Sequence, residues 1–233
     1  MQKPAAPRHG PARRAALGAL AALWLASAPA LADAPSGLVP LPCGEAGPLR
    51  PADPVYCRKA RHYVTPAARE ALLRAAERVA RERPGAVVRY MEASWPRGVR
   101  PMPPHRSHGD GRQIDLATFY EDRAGRALDR PPPAPNVRLL RGYGAYEPPQ
   151  RETERVCAGG PASAPDPPAA RGWRMDAART QALIDALLAE RSVRRIFLEP
   201  HLKRRLGYAS DSRIRFAGCA AARHDDHLHV DFR

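Results

Sequence analysis

Residues 223–233 read "RHDDHLHVDFR", and the alternation inside that stretch decides how the chain must fold around it. At a period of two, His227, His229 and Asp231 fall on one face of a strand, with Leu228, Val230 and Phe232 on the other. The second face belongs in a core, so two imidazoles project side by side from a strand that is buried behind them. His224 stands three residues earlier, across a turn that Asp225-Asp226 favours.

Working outward, "VRRIFLE" (193–199) predicts another strand, and Pro200 opens a short helix after it. Asp176 is placed to cap a helix whose inward face holds Leu183, Ile184, Leu187 and Leu188. In the first half, Thr65 and Pro66 start a helix with Leu72, Leu73, Ala76, Val79 and Ala80 on one face, and Pro84-Gly85 ends it. "AVVRYMEAS" (86–94) reads as a strand closed by the turn "WPRG", and "QIDLATF" (113–119) as a second. Residues 131–172 hold ten of the 27 prolines and read as a surface insertion, tethered by Cys157. Short strands interspersed with helices predict an α+β fold, a small antiparallel sheet flanked by helices.

Residues 1–32 have the form of a secretory signal peptide. Lys3, Arg8, Arg13 and Arg14 precede an apolar run too short for a membrane span, and Ala30-Leu31-Ala32 offers a cleavage site. The expected mature chain, 33–233, is one domain with no membrane span. Four cysteines, at 43, 57, 157 and 219, predict two disulfides in an exported protein, with all three connectivities open. The net charge of +14 falls to +10 without the four basic residues of the signal. Its arginines are spread along the chain, in no basic run longer than Lys203-Arg204-Arg205 and with no aromatic interleaving, which argues against a nucleic-acid partner and for attraction to an anionic envelope polymer.

Five of the eight histidines lie in "PPHRSHGDGRQID" (103–115) and "HDDHLH" (224–229). His108 and Asp115 are seven residues apart, which would put them on opposite faces of a straight strand. Gly109 and Gly111 make a bend there, so the loop can carry His108 over the face that bears Asp115. Two neutral histidines and one carboxylate form a natural three-ligand set for Zn²⁺ that leaves a fourth position to water, the arrangement of a catalytic site.

"ASWPRGVRPMPPHRSHGDGRQID", followed by "RIFLEPHLKRRL" and "HDDHLHV", resembles the penicillin-insensitive murein endopeptidases. These are zinc peptidases of the superfamily that includes lysostaphin-type enzymes, D-alanyl-D-alanine peptidases and the hedgehog domain. The resemblance runs from about Val64 to Val230, apart from the insertion. It implies a hedgehog/D-Ala-D-Ala-peptidase-like zinc domain with His108, Asp115 and His229 as zinc ligands. His227 would be a catalytic histidine beside the metal, and His224 would occupy the place of the glutamate base of D-alanyl-D-alanine peptidases. His105 would match a histidine that holds an accessory metal ion. The implied activity is hydrolysis of D-alanyl–diaminopimelyl cross-links in periplasmic peptidoglycan. D-alanyl carboxypeptidase action on stem peptides and a noncatalytic zinc-stabilised wall-binding module are the alternatives. The chain departs from the family pattern at Gly109, where Gln is usual, and at Arg97-Gly98, where Gly-Gly is usual.

Overall fold

The alternation of residues 227–232 is realised as the longest strand of a mixed α+β structure, a computed structural model that describes residues 36–103, 105–132, 150–160 and 172–233. The expected signal peptide and most of the expected insertion lie outside the described residues. The first half contains β1 (Val39–Pro40), β2 (Leu49–Pro51), α1 (Val55–Arg58), β3 (Tyr63–Val64), α2 (Pro66–Glu82), β4 (Val88–Tyr90), β5 (Gln113–Ala117) and β6 (Tyr120–Asp122). A 3-10 turn at Glu152–Glu154 precedes β7 (Trp173–Met175), α3 (Ala177–Ala189), β8 (Val193–Phe197), α4 (Pro200–Arg205), β9 (Ile214–Arg215) and β10 (His227–Phe232).

Six strands form the main sheet in the order β2-β4-β5-β10-β8-β9, and β1-β3 and β6-β7 pair separately. The expected antiparallel sheet is found in its four central strands, but β2 joins β4 and β9 joins β8 in parallel. Those outer strands have three and two residues, too few to display a period in sequence.

Thr65 caps α2 by accepting the Ala68 N–H at 3.3 Å, with Pro66 at the first helical position, where its missing N–H costs nothing. Its buried stripe is Ala68, Ala71, Leu72, Ala75, Ala76 and Val79, with Leu73 only partly covered. Asp176 caps α3 through the Arg179 N–H at 3.0 Å, and Leu183, Ile184 and Leu187 are buried while Leu188 is at the margin. The two helices pack on each other, and their apolar residues share one core with Ile114, Leu116, Ile196, Leu228, Val230 and Phe232 of the sheet. Each fully buried aliphatic side chain there contributes about 1.5–3 kcal/mol. The helices thus cover one face of the sheet and leave the histidine face to the site.

The cysteines pair as Cys43–Cys57 and Cys157–Cys219, and such bonds point to an oxidising, exported setting. No helix among the described residues is long and apolar enough to cross a membrane.

Candidate metal centre

Strand register assembles half of the centre. In the antiparallel β5–β10 pair, His229 stands opposite Asp115, Val230 opposite Ile114, and Asp231 opposite Gln113. The same pairing therefore buries the apolar residues on one side and sets an imidazole against a carboxylate on the other. His229 Nδ1 lies 2.9 Å from Asp115 Oδ1.

The loop 105–112 brings His108 to the same place. Ser94 Oγ accepts the N–H groups of both Gly109 (3.2 Å) and Gly111 (2.7 Å), and Thr65 N–H donates to the Gly111 carbonyl at 3.0 Å. Gly109 has φ +136°, and a Cβ there would stand 2.2 Å from the Val99 carbonyl oxygen, so the bend requires glycine. His108 Nδ1–H donates to the Ala93 carbonyl at 2.8 Å. A carbonyl only accepts, so that bond keeps a proton on Nδ1, and in the neutral ring Nε2 carries the lone pair facing the centre.

His108 Nε2 is 3.3 Å from both Asp115 Oδ1 and His229 Nδ1. Donor atoms around a tetrahedral ion with bonds of about 2.0–2.1 Å are roughly 3.3–3.4 Å apart, so the spacings of 3.3, 3.3 and 2.9 Å suit such an ion. His105, His108 and Asp115 also bring their donor atoms within 4.8 Å of one another, a group that could hold a metal ion. Cys43, Cys57 and His62 gather similarly, but the two cysteines are joined to each other.

The charges follow from one buried carboxylate among many imidazoles. Burial alone would raise the Asp115 pKa, yet the charges of His108 and His227 and hydrogen bonds from His108 and His229 hold it well below the usual range. Burial opposes a charge on His108, but Asp115 outweighs it and the pKa is raised. His227 likewise overcomes burial through Asp226 and Asp115 and is pushed up to about 9. Burial, then the charge of neighbouring histidines, takes His105 down to about 4 and His224 to about 3, and burial lowers His229.

All the site residues expected from sequence are gathered here. His227 Nε2 is 3.8 Å from Asp115 Oδ1. The ring of His224 lies 5.0 Å from that of His227 and 5.5 Å from that of His229, and its buried Nδ1 has no hydrogen-bond partner among the described residues. His105 is 4.8 Å from His108, ring to ring. Sequence reasoning missed Ser94, Glu92, Glu199 and Asp226. Glu92 is buried beside the His108 loop, its pKa raised by burial against an ion pair with Arg61 at 3.0 Å. Glu199 N–H donates to the His224 carbonyl, and its Oε1 accepts the His224 N–H, both at 3.0 Å. No local sequence signal marks the first three; Asp226 hid inside a turn-forming pair.

No protein-family model matches the chain, and no curated protein matches it.

Proposed function

We propose that the chain is a zinc-dependent murein endopeptidase that hydrolyses D-alanyl–diaminopimelyl cross-links in the periplasm. The observation that carries this reading is the convergence of His108 Nε2, Asp115 Oδ1 and His229 Nδ1 within 3.3 Å of one another, with two further histidines beside them. The three residues would hold zinc, which when bound supplies the Lewis acidity that activates water and polarises an amide carbonyl. With zinc bound, the cation would oppose the second proton that Asp226 and Asp115 favour on His227, and Nε2, turned to that centre, would take the proton from the attacking water and return it to the departing amine. His224 stays neutral at its pKa of about 3 and serves as a second acceptor on the same side. A structural metal site has no use for either, which favours catalysis over a wall-binding module.

No serine nucleophile takes part, so β-lactams, which acylate serine, should leave the activity intact. The two disulfides suit an exported protein, and the scattered arginines suit an anionic wall polymer. The test is digestion of purified murein by zinc-loaded protein, followed by separation of the muropeptides. Conversion of cross-linked dimers to monomers is expected. Loss of terminal D-alanine alone would make the chain a carboxypeptidase, and unchanged muropeptides would leave it a noncatalytic module.

A further inference from the structure

Three aspartates lie in residues 224–233, and they have different partners. Asp225 pairs with Arg223, and Asp231 takes Arg195 at 2.7 Å and the Gln113 amide at 2.8 Å. Asp226 instead faces a histidine: its Oδ1 is 2.5 Å from Nδ1 of His227, and both residues are buried. The Asp226 main chain is held from two sides. Its own carbonyl accepts a hydrogen bond from Thr118 Oγ1 at 3.1 Å, which ties it to the end of β5. The turn before it is closed by the paired hydrogen bonds between Glu199 and His224. On the far side of the same ring, Nε2 is 3.8 Å from Asp115 Oδ1.

An imidazole whose Nδ1 meets a carboxylate keeps its proton on that nitrogen and offers Nε2 as the acceptor. We infer that Asp226 is the positioning residue of the site, holding His227 as the Nδ1–H tautomer with Nε2 aimed at the reacting atoms. The inference rests on the proposed role of His227. The step balances through one nitrogen. Water loses a proton to Nε2, and its oxygen bonds to the amide carbon. As the C–N bond breaks, the same proton passes from Nε2 to the leaving nitrogen. The Nδ1 proton stays on the ring throughout, and Asp226 faces the transient imidazolium charge.

Asp226→Ala should keep zinc and fold, lose on the order of 10²-fold or more in kcat and leave KM within a small factor, because only proton transfer is impaired. Asp226→Asn, which retains an acceptor oxygen without the charge, should recover part of the loss. A direct readout is the imidazole ¹⁵N spectrum of zinc-loaded, ¹⁵N-labelled protein, with His227 assigned by comparison with His227→Ala. Wild type should show Nδ1 protonated and hydrogen-bonded, and Asp226→Ala should lose that signature. An unprotonated Nδ1 in wild type, an unchanged kcat in Asp226→Ala, or zinc loss in Asp226→Ala as in His229→Ala would each overturn the inference. Wild-type protein that leaves murein intact would instead sink the proposed function, and the ¹⁵N spectrum would still decide the tautomer.

Discussion

Asp115 Oδ1 has three imidazole nitrogens around it, at 2.9 Å from His229, 3.3 Å from His108 and 3.8 Å from His227. Only the first two also approach each other to 3.3 Å, so the three atoms close on one point while His227 stands aside. On the proposed ligand set, replacing His108, Asp115 or His229 by Ala would leave two protein ligands and should abolish tight zinc binding. His227→Ala should keep the ion and lose about 10²–10⁴-fold in cleavage rate. His105→Ala separates the two groupings that the centre contains: full zinc content would keep His229 as the third ligand, and loss of zinc would give that place to His105. Metal analysis beside a dimer-cleavage assay reads all five variants. Gly109 offers a different kind of test. The resembled family usually has Gln here, but at φ +136° with the Val99 carbonyl 2.2 Å from a would-be Cβ, a side chain strains the backbone by roughly 1–3 kcal/mol before the clash is relieved. Gly109→Ala should lower the melting temperature and weaken metal binding together, since His108 is the preceding residue.

Ser94 shows how an element-scale contact sets residue-scale geometry. Its buried hydroxyl oxygen takes two backbone N–H groups of the His108 loop, at 3.2 and 2.7 Å, beyond the end of β4. Ser94→Ala strands both donors, a cost of about 1–3 kcal/mol each where water does not replace the oxygen. Zinc affinity should fall with stability, whereas Ser94→Thr should retain both if the added methyl fits; zinc competition titrations distinguish the two. Legibility in sequence follows the same scale. β10 was readable to the residue because six positions alternate without a break, and the start of α2 because Thr65-Pro66 combines a cap with a residue suited only to the first turn. Both histidine clusters were visible in the sequence, and the structure brings them together. The pairing of β10 directly with β5 was not, because alternation says which face a residue takes but nothing about its neighbour strand. The expected strand 86–94 shrinks to Val88–Tyr90 because beyond Tyr90 the chain hydrogen-bonds to Asp115, Arg61 and Tyr63 in turn rather than to one partner. Ser94 and Glu199 act through loop closure, which leaves no periodic trace.

At the scale of the whole molecule, Cys157–Cys219 spans 62 residues and binds segment 150–160 to the loop that leads into His224, while Cys43–Cys57 spans 14. By loop-closure entropy the long bridge stabilises by roughly 4 kcal/mol and the short one by about 3 kcal/mol. The Cys157→Ser/Cys219→Ser protein should therefore have the lower denaturant midpoint of the two double variants. Acid sensitivity has a separate origin, away from the metal centre. His62 is buried at the junction of α1 and β3, where burial lowers its pKa below the ordinary 6.5 and the contact of Nδ1 with the Tyr56 carbonyl at 3.4 Å only partly offsets that. Above pH about 6.5 the ring is neutral in both folded and unfolded chains, and its full contribution to stability is present. As pH falls below that value the unfolded chain takes up a proton that the folded chain refuses. Stability is then lost progressively until the folded pKa is passed. His62→Gln keeps a polar side chain of similar reach and removes the titration. In chelator, where the histidines of the centre titrate alike in both proteins, the variant should lose less stability than wild type between pH 7.5 and 5. Urea unfolding at the two pH values reads the difference, and equal losses would show that His62 takes up its proton as readily in the fold as outside it.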